Sequence, residues 1–359
     1  MNIRVLALFI LMYVSSHAQT RKVLFEEITG AYCGNCPSAA WIVDSLTKKY
    51  PNLIGVAVHS YGVPDAMYFP GCDSIDNLIN TQGGAPFGDL DRMKYAVTNA
   101  PLYMLFSNIS KYDSIAAARL SVPAMLTVSI IPTWTSITRT ISAQVNVHIL
   151  SNLSAADYRI SMYVVEDSVM ETGAGYDQEN LYNTSPPGNP FYGMGNPIIG
   201  YVHRHVSRAA LPSPLGAAGV LPFIPAAGQD FLATMNYNLP SSMNENRISL
   251  LAFVYKYAPT GANNEILNAE EVKLIPLATG INSALQLSGS ASVFPNPFTS
   301  ELFLNSNETG DVVLYDVAGK EILRYHTSEA KTRLRTETIA AGFYLVRIGK
   351  DNFRVVKEN

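Results

Sequence analysis

Three cysteines in 359 residues are too few to build a scaffold from disulfides. Charge is scarce too: Asp, Glu, Lys and Arg make up 15% of the chain and the formal net charge is −4. That balance gives no electrostatic reason to expect nucleic acid as a partner. Long apolar runs are also missing. No segment reaches the ~18 unbroken apolar residues of a membrane-crossing helix, so no membrane span is expected in the mature chain. What is left is a chain long enough for two or three domains, whose few cysteines can be read one by one.

Residues 1–18 read as a secretory signal peptide. Arg4 supplies the positive charge, residues 5–14 the apolar core, and Ser16-His17-Ala18 a small-x-small cleavage site before Gln19. No cysteine lies near that site, so a lipid anchor is not expected. The mature chain then lives in an oxidising setting, where a nearby cysteine pair can close.

Such a pair exists. An apolar run from Val23 ends in Thr29-Gly30, and Tyr32-Cys33-Gly34-Asn35-Cys36-Pro37 follows before a helical pattern begins. Strand, C-x-x-C, then helix is the order that places thiols at a helix N-terminus. The orphan N–H groups and positive dipole end there favour thiolate over thiol. Pro37 suits a first turn, because its missing N–H costs nothing there. Cys33 is expected to be the exposed, attacking thiolate and Cys36 the resolving one. Glu27, six residues before Cys33, can take or give the Cys36 proton if burial raises its pKa. The alternative is a solvated strand carboxylate, and Glu26 beside it shows that acids are tolerated here. The chain-entropy model gives only about 2 kcal/mol for closing so small a ring. Redox use therefore explains the spacing better than stapling does. A zinc half-site would need a second C-x-x-C, which is absent. Cys72 reads as a small apolar residue, with a resolving role as the alternative. His59, after an apolar strand, reads as structural.

The stretch from Glu27 to Pro37 resembles the active-site segment of the thioredoxin superfamily, with Tyr32 where Trp is usual. About fifty residues on, Gly83-Gly84-Ala85-Pro86-Phe87 resembles that superfamily's loop with a cis proline facing the thiols. The resemblance implies that Pro86 is cis and that Ala85 offers backbone to a bound peptide. Around these motifs, residues 23–28, 53–58 and 87–90 read as strands. Ala39, Val43, Leu46 and Tyr50 mark one helical face, closed by Lys48, Lys49 and Pro51. Further helices are expected within 73–81 and 104–120. Residues 19–121 are thus expected to form a thioredoxin-like domain, a small sheet with helices on its faces.

After Pro123 the pattern changes. Ile141, Ala143, Val145, Val147 and Ile149 alternate with polar residues, as in a half-buried strand. Residues 158–167, 231–239, 247–257 and 269–277 are further strand candidates, which predicts a β-sandwich over 122–279. A long loop, 171–200, holds six glycines, four prolines and three tyrosines; loops of this length usually bind something or are disordered. It leads into Tyr201-Val202-His203-Arg204-His205. His203 and His205 are expected to share a strand face, but no third ligand is visible, so neither metal nor cofactor is expected. The residues from Tyr201 to Ala209, together with the C-x-x-C segment, resemble the outer membrane protein 28-related family over roughly residues 20–280. That resemblance implies a thioredoxin-like domain followed by a β-domain.

Residues 280–291 read as a linker and 292–359 as a separate small β-sandwich. Phe294-Pro295-Asn296-Pro297, then Tyr315-Asp316-Val317-Ala318-Gly319-Lys320, then Ala341-Gly342-Phe343-Tyr344 and a final Phe353-Arg354-Val355-Val356-Lys357 resemble the type A sorting domain of the bacterial type IX secretion system. The resemblance implies recognition by that machinery, passage through the outer membrane, and then release or surface attachment. The fold class expected is multidomain α/β plus all-β. Two functions fit the body: a thiol–disulfide oxidoreductase using Cys33, Cys36, Pro86 and Glu27 on a protein thiol or disulfide substrate, or a surface binding module with an inert Cys33–Cys36 disulfide.

Overall fold

The computed structural model describes residues 21–80, 83–93, 103–185, 187–259, 264–275 and 292–357, the last with breaks at 297, 306–308, 317–319, 330 and 350. The signal peptide and linker expected from the sequence lie outside these residues. The chain divides into two compact units, one ending at Pro276 and one beginning at Leu277. It is a multidomain α/β plus all-β protein.

The first unit opens with β1 (Val23–Thr29), α1 (Cys36–Lys49), β2 (Leu53–His59), α2 (Cys72–Ile79), β3 (Phe87–Leu90) and α3 (Ile109–Leu120). α1 starts at Cys36 with Pro37 in its first turn and ends on Lys48 and Lys49, where cations meet the negative end of the helix. It buries Ala39, Ile42, Val43 and Leu46. β1 and β2 are buried at every position, as strands covered on both faces must be.

Strands then dominate: β4 (Leu126–Thr135), β5 (Thr140–Ile149), β6 (Asp157–Glu166), β7 (Val206–Leu211), β8 (Asp230–Asn238), β9 (Ile248–Tyr257) and β10 (Ile266–Lys273). They do not form a sheet set apart from the first strands. A seven-stranded mixed sheet runs β10-β9-β6-β7-β2-β1-β3, so strands from both sides of residue 121 share one ladder. The junction is a parallel pairing of β2 with β7, centred on Ala57 opposite Val206. Ala57 N donates to His205 O at 2.8 Å, and the Ser207 hydroxyl donates to Ala57 O at 2.9 Å. β4, β5 and β8 make a second, three-stranded sheet.

Alternation along each strand sorts the core. Tyr158, Ile160, Met162 and Val164 of β6 and Leu250, Ala252 and Val254 of β9 pack against the three-stranded sheet. Tyr163, Val165, Leu251, Phe253 and Tyr255 point the other way, joining Leu24, Ile28 and Val56 and the α2 residues Cys72 and Ile75. The large sheet curls until its β10 edge reaches the turn after β3, where Ile266 N donates to Asp91 O at 2.9 Å. Buried Asp91 holds that corner: it takes the Arg21 and Arg119 guanidiniums at 2.8 and 2.9 Å. Next to it, buried Arg92 grips Glu26 of β1 through two 2.7 Å bonds and donates to the Tyr163 hydroxyl of β6 at 2.9 Å. Its guanidinium also lies 4.9 and 4.7 Å from the ring centres of Phe253 and Tyr255.

The second unit has β11 (Ser292–Phe294), β12 (Glu301–Asn305), β13 (Gly310–Asp316), β14 (Glu321–Thr327), β15 (Lys331–Arg335), β16 (Gly342–Ile348) and β17 (Asp351–Lys357). They form sheets of order β11-β12-β15 and β14-β13-β16-β17. Between these lies a core of Phe298, Leu302, Leu304, Val312, Leu314, Leu334, Val346 and Ile348.

Candidate functional site

Cys33 and Cys36 are joined in a disulfide, with S–S 2.05 Å and Cα–Cα 5.3 Å. Cys36 is the first residue of α1, so its sulfur sits at the end where backbone N–H groups have no helical partner. Ser38, within the first turn, donates through its hydroxyl to Asn35 O at 2.7 Å and to Met104 O at 2.6 Å. Met104 N in turn donates to Pro86 O at 2.9 Å. The first turn of α1 is thereby tied to Pro86, and the Ala85–Pro86 bond is cis.

The segment leading into the pair is held by Asp65. Its carboxylate accepts from Ala31 N at 2.7 Å, Met67 N at 2.9 Å and Tyr68 N at 3.1 Å, and pairs with His59 Nδ1 at 2.7 Å. Burial pushes the Asp65 carboxyl up, but the His59 hydrogen bond and charge and the two backbone amides prevail and hold it below its usual range.

Behind Cys36 lies a small cavity, about 20 Å³ of space open to the centre of a water molecule, enough for one. Glu27, Cys36, His59, Gln178, Tyr201 and His203 are among its walls. Glu27 is buried and its Oε1 has no hydrogen-bond partner. Burial pushes its carboxyl up to about 8; a hydrogen bond with Thr29 opposes this and the Asp44 charge adds to it. Burial also lowers the His203 imidazole to about 4, helped by the neighbouring His59 ring 5.4 Å away. His203 is therefore neutral at pH 7 and its Nε2–H donates to Tyr176 O at 2.7 Å.

Two sequence expectations need correcting. Cys33 is not the exposed cysteine: it is 3% exposed and Cys36 1%. The cause is the loop at 171–200, which lies over the pair. Glu179 N donates to Ala31 O at 2.8 Å and Leu181 N to Gly34 O at 2.9 Å. The Gln178 amide donates to Cys33 O at 2.9 Å and to Ala31 O at 3.2 Å. Gly34 makes the approach possible, since a Cβ there would stand 2.5 Å from Leu181 Cγ. His203 and His205, in turn, do not share a strand face. β7 begins only at Val206, and His205 has φ 54°, which breaks the alternation. His203 points into the cavity wall, while His205 is half-buried with Nε2 3.5 Å from Asp44. Among the described residues no group of three or more His, Cys, Asp or Glu is placed to hold a metal ion.

Cys72 is buried on α2 in the core beneath the sheet, and burial pushes its thiol up to about 12. Sequence reasoning missed Gln178 and Tyr201 as neighbours of the pair. The Gly- and Tyr-rich composition of their segment was the signal available, but nothing in it said which surface the loop would cover.

Fold and site together define a multidomain protein: an α/β body with an oxidised C-x-x-C at a helix N-terminus, and a separate all-β C-terminal unit. A family model of the secretion system C-terminal sorting domain matches residues 292–358. The model for outer membrane protein Omp28 matches residues 82–274, more than half of the 359 residues, and the chain belongs to the Omp28 family. The sorting domain marks a substrate of the type IX secretion machinery, exported to the cell surface, outer membrane or extracellular space. No curated protein sequence matches the chain. Among solved structures, HBP35 of Porphyromonas gingivalis is similar in fold, with a TM-score of 0.54 at 17% identity over 94% of this chain and 98% of that one. A domain of the outer membrane lipoprotein Omp28 from the same organism matches at 18% identity over 43% of this chain and 92% of that one, with a TM-score of 0.26. Among the described residues no helix is long and apolar enough to cross a membrane.

Proposed function

We propose that the body is a thiol–disulfide oxidoreductase carried outward by type IX export, with Cys33, Cys36, Glu27 and Pro86 as its working residues. One observation carries the reading: Cys36 shares a small cavity with Glu27, whose Oε1 is buried and unpartnered and whose carboxyl burial pushes up to about 8. A proton donor and acceptor matched to neutral pH beside a thiol is an arrangement suited to exchange.

Starting from the disulfide, a substrate thiolate attacks the Cys33 sulfur and the Cys33–Cys36 bond breaks. Cys36 leaves as a thiolate and takes the proton of Glu27. A second substrate thiolate then attacks its partner's sulfur in the mixed disulfide and expels Cys33 as a thiolate, stabilised by the N-terminus of α1. The substrate dithiol loses two electrons and the pair gains them. Run backwards, the same steps reduce a substrate disulfide, with Glu27 as the base for Cys36.

The test is oxidation of a dithiol peptide by the purified full chain, followed by mass spectrometry. One equivalent of peptide disulfide per protein is expected, with Cys33→Ser inactive; exchange that survives in that variant would remove Cys33 from the mechanism. The near-complete burial of Cys33 favours the second reading, a surface binding module whose disulfide is inert. Under that reading the wild-type protein leaves the peptide unoxidised.

A further inference from the structure

The chain covers its own thiol pair with a segment from far along the sequence. Residues 176–183 cross the C-x-x-C segment with their backbone amides and the Gln178 side chain as the points of attachment. The contact is also partly aromatic: the Tyr182 ring centre lies 5.0 Å from that of Phe106, and Tyr176 packs against the cluster that holds Ala31, while Leu181 stays 63% exposed even as it rests on Gly34. Within itself the segment is well braced. Asn180 donates through its side chain to Phe191 O at 3.0 Å and Gly195 O at 2.9 Å. Asp177 ties the two ends of the loop, accepting from Gly173 N at 2.9 Å and Gly200 N at 3.1 Å. These glycines have φ of 103° and 65°, which side-chain-bearing residues rarely adopt. A piece closed at its base and hydrogen-bonded to the Ala31, Cys33 and Gly34 carbonyls thus lies over the C-x-x-C segment, with Cys33 buried beneath it.

We infer that residues 176–183 are an internal occupant of the thiol site, which an extended peptide carrying a thiol or disulfide must displace before Cys33 can react. The occupant also describes its competitor. It offers backbone N–H groups to Ala31 O and Gly34 O, with an apolar side chain over Gly34 between the two cysteines. A peptide that replaces it supplies the same groups. This inference rests on the oxidoreductase reading for its purpose, but the cover itself can be tested separately.

The test is the rate at which iodoacetamide labels Cys33 in the reduced full chain, read by peptide mass mapping. Buried Cys72, 0% exposed, is the internal control for unfolding. In Gln178→Ala the Cys33 rate is expected to rise about tenfold, the size that losing roughly one net hydrogen bond predicts, while Cys72 stays unlabelled. Leu181→Ala removes a side chain that is mostly in solvent, so it keeps the fold, and a rise of several-fold is expected there. Wild-type and both variants labelling at one rate would overturn the inference, as would wild-type Cys33 labelling as fast as it does in denaturant. Faster labelling in the variants with no oxidation of a dithiol peptide by any form keeps the cover and removes the oxidoreductase reading.

Discussion

Glu27 is the residue whose surroundings do most to its chemistry. Its place on β1 was visible in the chain, but its environment was not. The adjacent Glu26 has the same residue type and the opposite arrangement, fully paired with Arg92, whereas Glu27 faces the cavity with an oxygen unmatched. That contrast has a thermodynamic consequence. With a pKa of 4.5 unfolded and about 8 folded, the native state binds the proton more tightly. The cost of ionising Glu27 is absent below pH 4.5, grows as pH rises through the interval and is complete above about 8. At about 1.4 kcal/mol per pKa unit, it amounts to several kcal/mol. Glu27→Gln should therefore be more stable than wild type at pH 9 and equal to it at pH 4; urea denaturation at the two values checks this. A stability gain that is the same at both pH values would mean that Glu27 is not the titrating group.

At the scale of elements, Arg92 does what no strand could do alone. It sits just after β3, yet it bonds a carboxylate on β1 and a hydroxyl on β6 and lies against two aromatic rings of β9. It links the curled sheet across its interior. Arg92→Leu would leave Glu26 buried without its cation, and breaking a buried pair from one side costs about 3–5 kcal/mol. A denaturant midpoint unchanged in that variant would show that water reaches Glu26. Element identity was largely readable from local pattern: the Cys36 start of α1, the Thr140–Ile149 alternation of β5 and the apolar β2 all follow from residue spacing. β4 and β15 went unread, and β7 was expected to begin before His203 rather than at Val206. β7 has only six residues, Val206–Leu211, and its pattern follows an irregular approach through His205. β4 turns Ser129, Ile131 and Thr135 to solvent, so an apolar residue sits on its wet face.

Over the whole molecule, the two units answer different needs. The C-terminal one carries the sorting domain and a core of its own. The first holds the thiol site and every residue named in its chemistry. Deleting residues 292–359 should abolish export and leave the body in the periplasm with its Cys33–Cys36 disulfide intact. Cell fractionation with thiol counting reads both, and surface display that persists would mean that export does not depend on this domain.

The sequence by itself determined the helix-tip thiol pair, the strand that brings Glu27 to it and the sorting blocks, because each depends on residues within one short stretch. Tertiary structure alone decided that β2 would pair with β7 and join both halves in one sheet. It also decided that a loop about 145 residues downstream would bury Cys33. Backbone hydrogen bonds between Ala31, Gly34 and the 179–181 segment carry no side-chain signature, and neither does the single bridge at Ala57. Pairings made by the main chain at long range leave almost nothing in the order of residue types, so they appear only once the chain has closed on itself.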